Sequence, residues 1–206
     1  MRARVAVILL GLAACDSATP PERPIAYDYG VRVQGGSVLT FRWPESSLPV
    51  RIWVQPQSDL RFAVEAAIRA WEKTALYGEF RGVIVPDSLH ADVHVRLGAP
   101  YTSDPSIPLN CGSSTGIGVW PDSTIILPFP VTLYPRLGVG SSDLADCFVR
   151  LATHELGHTL GLFQHSTDPE DLMHARPSSD GLSPRDQATF DQLYHSPTSV
   201  RLPPGR

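Results

Sequence analysis

One segment limits what this chain can fold into more than any other: "HELGHTLGLFQH", from His154 to His165. His154 and His158 stand four residues apart, so on a helix their imidazoles leave the same face one turn apart. Both rings can then reach a single metal ion about 2.0–2.1 Å away. Glu155 lies about 100° round the helix. That direction suits a water at the ion better than the ion itself. Had the helix continued, His165 would be two turns past His158 and out of reach. Gly161 offers the exit, because glycine adopts the left-handed backbone that ends a helix and turns the chain. The segment therefore demands a helix that stops at Gly161 and a chain that folds back to bring His165 in as a third ligand. Its five fixed positions arise by accident in roughly one chain in 10⁴ of this length, so a core helix with incidental histidines is the weaker reading.

Three neutral imidazoles with an open fourth position describe catalytic rather than structural zinc. A zinc ion in such a site brings the pKa of water from about 15.7 towards about 7, and Glu155 is placed to take the proton as general base.

The rest of the chain supplies context. "MRARVAVILLGLAAC" carries Arg2 and Arg4, then an apolar run too short to span a bilayer, so residues 1–14 read as an export signal. Leu12-Ala13-Ala14-Cys15 resembles the lipobox of bacterial lipoproteins, which implies lipidation of Cys15 and anchoring to a membrane of the cell envelope. An ordinary secretory signal with an incidental cysteine is the alternative. Residues 15–37, rich in Pro and Gly, read as a flexible tether, and the folded domain is expected over 38–206. Net charge is −4 and the 17 basic residues form no stripe, which speaks against nucleic acid as a partner.

Strands are expected at "VLTFRW", Val50–Val54, Val83–Val85 and Val93–Leu97. Between Pro100 and Gly140 the chain reads as irregular apart from Gly116–Trp120 and Thr124–Leu127, joined by a turn. Val64, Ala67, Ile68, Trp71 and Ala75 mark the buried stripe of a helix capped near Ser58-Asp59. A long helix runs from about Ser142 to Gly161, and a last one follows the capping box Ser183-Pro184-Arg185-Asp186. In an exported protein with Cys15 lipidated, Cys111 and Cys147 are the remaining pair, so a disulfide is favoured over two free thiols. Cys147 precedes His154 by seven residues and so faces the same side of the helix. A Cys111–Cys147 bond would pin the loop before the Gly116 strand beside that helix. His90, His94 and His195 read as structural or solvated, and His174 as a neighbour of the pocket.

His154, Glu155, His158, Gly161 and His165, followed by Met173 in "DPEDLMH", resemble the signature of the metzincin zinc endopeptidases. The spacing to Met173, Ser166 after the third histidine, and "LSPRDQATFDQLY" are most similar to the matrixin branch. The resemblance spans about residues 38–195. It implies an α+β fold, a mixed twisted sheet over an active-site helix, with a small C-terminal subdomain holding a methionine turn and a final helix. It implies Zn2+ on His154, His158 and His165, Glu155 as general base and acid, Met173 as an apolar floor, and Asp186 as a brace for that turn. A peptide or protein would be the substrate and the chain a monomer. The matrixin cysteine switch is not found before residue 50, which argues against latency by that route. The His- and Asp-rich loop for structural zinc or calcium is not recognisable between Pro100 and Gly140, leaving ions beyond the catalytic one open. Ala175 stands where some metzincins place a tyrosine. A catalytically silent, zinc-containing surface binding module is the alternative function.

Overall fold

The computed structural model describes residues 24–33, 36–100 and 111–206. The export signal, Cys15, and residues 15–23 and 34–35 of the expected tether lie outside the described residues. Along the chain run β1 (Val31–Arg32), β2 (Val38–Leu39), β3 (Val50–Val54), α1 (Ser58–Thr74), β4 (Gly82–Val85), β5 (Val93–Leu97), β6 (Cys111–Thr115), β7 (Phe129–Pro135), α2 (Ser141–Thr159) and α3 (Pro184–Tyr194). The fold is α+β. Its main sheet has five strands in the order β4-β3-β5-β7-β6, all parallel except β6, which lies antiparallel to β7 at one edge. β1 and β2 form a separate two-stranded ribbon.

Alternation builds the central strands: Val50, Ile52 and Val54 of β3 and Val93 and Val95 of β5 are buried, while Arg51, Trp53 and His94 are less so. Leu60, Val64, Ala67, Ile68 and Trp71 form the buried stripe of α1. That helix begins at Ser58 and has no side-chain cap, so the expected cap at Ser58-Asp59 is not used. Two buried indoles fix α2. Trp71 Nε1 donates to Thr153 O at 2.8 Å, and Trp43 Nε1 donates to Thr159 O at 2.9 Å. These carbonyls bracket the turn that carries His154 and His158. A shift of α2 would strip a partner from a buried N–H, which costs about 1–3 kcal/mol.

Two expectations for the stretch before α2 are corrected. β7 lies in the stretch expected to be irregular. Instead Phe129, Val131 and Leu133 are buried and alternate with Pro130, Thr132 and Tyr134. Pro130 is tolerated because it stands on the last rung. Gly116 N–H donates to Pro130 O at 2.9 Å, and the ring occupies the space that a side chain at Gly116 would need. The strand that joins the sheet here is likewise Cys111–Thr115, in residues expected to be irregular, and the expected strand Gly116–Trp120 is not part of the sheet. Residues 116–127 leave the sheet as a hairpin joined by the single bridge Val119↔Ile125. Cys111 thus lies inside the edge strand rather than ahead of it.

Residues 24–33, expected to be tether, pack on the domain. Phe163 N–H donates to Tyr29 O at 2.9 Å, Tyr27 N–H donates to Thr189 Oγ1 at 3.1 Å, and Tyr27, Tyr29 and Val31 lie against the core. Cys111 and Cys147 are bonded, with Cα atoms 5.9 Å apart, and join β6 to α2.

The bond links residues 36 apart in sequence, and chain entropy assigns about 4 kcal/mol to closing such a loop. Replacing both cysteines by serine is expected to lower the urea midpoint by a corresponding amount in metal-free buffer. An unchanged midpoint would mean that the ladder to β7 alone secures β6.

Candidate metal centre

The site starts at the end of α2. Its last hydrogen-bonded turn closes through Gly161 N–H to His158 O and Leu162 N–H to Gly157 O, both 3.1 Å. This pair of bonds ends a helix in a left-handed residue, and Gly161 has φ +107°. A Cβ there would run into the Phe41 carbonyl. The chain reverses and carries His165 back over the helix end.

His154, His158 and His165 come together as expected. His158 Nε2 lies 3.1 Å from His154 Nε2 and 3.3 Å from His165 Nε2. Ligands about 2.0–2.1 Å from a tetrahedral ion are separated by about 3.3 Å, so this spacing fits zinc. The backbone sets the tautomers. His154 Nδ1 meets Leu172 O at 2.7 Å and His158 Nδ1 meets Leu162 O at 2.6 Å. A carbonyl oxygen only accepts, so each Nδ1 carries the ring proton and each Nε2 offers a lone pair. Burial keeps the rings neutral: it pushes His154 down to about 4, and it lowers His158 and His165 too. Lone pairs that face one another without a proton between them suit a cation. The donor set therefore fits the ion.

Glu155 is buried at the same cleft, and its Oε2 accepts a hydrogen bond from Thr115 Oγ1 at 2.5 Å. The cleft, of about 540 Å³, is walled by β6 on one side and by Ala175, Arg176 and Pro177 on the other.

Met173 is fully buried beneath α2. A Cβ on Gly157 would fall 2.6 Å from Met173 Sδ and 2.7 Å from Trp71 Cζ2, so the glycine inside the histidine segment admits both groups. The neighbouring Leu172 supplies the carbonyl that orients His154. One carboxylate holds this turn. Asp186 accepts from Leu172 N at 2.8 Å, Met173 N at 3.3 Å, Ser183 N at 2.9 Å and Tyr27 Oη at 2.8 Å. Burial raises the Asp186 carboxyl and the Tyr27 hydroxyl alike, which keeps Tyr27 a donor. Asp171 links Ser166, next to His165, to Ser183 at the start of α3.

The other histidines stand apart from the centre. His90 pairs with Asp87, His94 Nε2 lies 2.8 Å from Ser88 O, and His195 sits beside Asp191 and Glu79. His174 meets the Arg176 backbone at the rim. Sequence reasoning missed Thr115, Asp171, Tyr27 and the two orienting carbonyls. Thr115, Tyr27 and the Leu172 carbonyl act on residues that only the fold brings near, while the Leu162 carbonyl and Asp171 act within five residues through contacts that no residue pattern marks.

Two outcomes are expected. Gly157→Ala should cost about 1–3 kcal/mol by overpacking and weaken zinc binding, read by urea unfolding and chelator competition. Since folding lowers the histidine pKa values, the unfolded chain binds more protons between about pH 6.5 and 4. The metal-free protein should then lose stability as pH falls through that window and change little from these groups above it, as a urea series across pH would show. The chain matches no protein-family model and no curated protein, so its own geometry carries any functional reading.

Proposed function

We propose that this chain is a zinc-dependent endopeptidase of metzincin type, closest in pattern to the matrixins. The observation that carries the reading is the convergence of three Nε2 atoms, those of His154 and His158 with their tautomers fixed, beside Glu155 at the wall of an open cleft. His154, His158 and His165 would hold Zn2+, and Met173, in the turn of a small C-terminal subdomain, would form the apolar floor beneath them. When bound, zinc supplies a Lewis acid that polarises a carbonyl oxygen and acidifies water to a pKa of about 7.

The chain's own residues do the remaining work. Glu155 Oε1 takes the proton from the attacking water and passes it to the leaving amine nitrogen. Oε2 stays with Thr115 throughout. The outer edge of β6 lies along the cleft, so an extended peptide can add to the sheet there and present its carbonyl to the site. The rings of His154 and His158 keep their Nδ1 protons on backbone carbonyls and need no reorganisation during the reaction. The reading extends to export, a monomeric state and a lipid anchor on Cys15.

Zinc-loaded protein should cleave members of a quenched peptide library, and Glu155→Ala should lower kcat by about 10²–10⁴ while zinc stays bound. Activity surviving the substitution would overturn the role of Glu155. Zinc binding with no cleavage by either protein would favour the silent binding module. Mass spectrometry of the exported protein should find acyl chains on Cys15, and Cys15→Ser should release the protein from the membrane.

A further inference from the structure

Glu155 has a partner that the histidine segment does not contain. Thr115 Oγ1 lies 2.5 Å from Glu155 Oε2 and 3.3 Å from the Glu155 carbonyl oxygen, across forty residues of sequence. Thr115 is also the last residue of β6 in the ladder, paired with Val131. Beyond it the Gly116–Pro130 rung ends the sheet. The threonine backbone is therefore fixed by the sheet, while its hydroxyl reaches the helix.

The other end of β6 is fixed to the same helix. Cys111 opens the strand and is bonded to Cys147 of α2. From Cys111 to Thr115 a strand rises about 13 Å at about 3.3 Å per residue. From Cys147 to Glu155 a helix rises about 12 Å at about 1.5 Å per residue. The two spans match, so β6 lies along α2 with a covalent tie at one end and the Thr115–Glu155 contact at the other. The strand that lines the cleft and the carboxylate that faces it are thus held in one register.

A glutamate has three rotatable bonds, and a carboxylate without a partner would spread over several rotamers. With Oε2 engaged, the side chain has one direction and Oε1 is left to accept. We infer that Thr115 is a positioning residue for Glu155, aiming its free oxygen into the cleft, with the Cys111–Cys147 bond setting the strand that carries it. This inference rests on the endopeptidase reading for its consequence in catalysis, and on geometry alone for the orientation of the carboxylate.

The test compares wild type with Thr115→Val, Thr115→Ser, Glu155→Ala and the Thr115→Val/Glu155→Ala double variant, each loaded with zinc. Two quantities are read: kcat and KM on a peptide the wild type cleaves, and the Kd of acetohydroxamate, whose hydroxyl donates to a carboxylate beside the metal. Thr115→Val keeps the side-chain shape and removes the donor. It should lower kcat and weaken acetohydroxamate each by about tenfold, the effect of one hydrogen bond to a charged group. KM, thermal midpoint and zinc affinity by chelator competition should stay near wild type. Thr115→Ser should restore both quantities to within about threefold. In the Glu155→Ala background Thr115→Val should have no effect, because the group it acts through is gone.

Wild-type values in Thr115→Val, or a loss that persists without Glu155, would overturn the inference and leave Thr115 as a strand-to-helix contact. If the wild type cleaves no peptide, the endopeptidase reading fails while the acetohydroxamate series still decides the role of Thr115. A protein that takes up no zinc overturns the endopeptidase reading and with it the part of Thr115 in catalysis.

Discussion

Everything at this site depends on two backbone carbonyls that hold the ring protons of His154 and His158 away from the centre. With the Nδ1 protons committed, the Nε2 lone pairs have one direction, and burial suppresses the protonated rings that would otherwise separate. The His154 and His158 lone pairs, 3.1 Å apart, repel, and only packing keeps them there. The carbonyl of Leu162 is in place because α2 ends in the Gly161 turn. The carbonyl of Leu172 is in place because Asp186 clamps the next turn. The histidine pattern is thus half of the arrangement. The other half is main chain.

The helix that carries His154 and His158 is located from several directions. Trp71 and Trp43 reach carbonyls on either side of the His154–His158 turn, Met173 fills the notch left by Gly157, and β6 runs along the outer flank. Each contact acts at a different height on α2, so neither rotation nor sliding is free. Preorganisation of this kind is what a site needs when its groups must act without first rearranging.

What could be read from the sequence followed periodicity and caps. The α1 stripe, the stop at Gly161 and the Ser183 capping box are local patterns, and the structure has them where the residues indicate. β7 was hidden because prolines at 128, 130 and 135 obscure the alternation of Phe129, Val131 and Leu133. The exception that admits Pro130 lies in its partner, Gly116, not in its own surroundings. β6 was hidden because "CGSST" has no apolar rhythm and is a strand only through pairing with β7. The three zinc-ligand candidates and Glu155 were legible as one motif. Thr115 and Tyr27 were not, since their partners are 40 and 159 residues away.

The four donors gathered by Asp186 have a consequence for how the molecule opens. They come from the segment before β1, the Leu172–Met173 turn and the start of α3, stretches that share no secondary structure. Releasing any one of them exposes the carboxylate to water and weakens its hold on the rest. These stretches form one cooperative unit, whose amides should exchange with solvent together even though the chain visits them at its beginning and near its end. The turn beneath the centre and the segment before β1 would then share a single opening event.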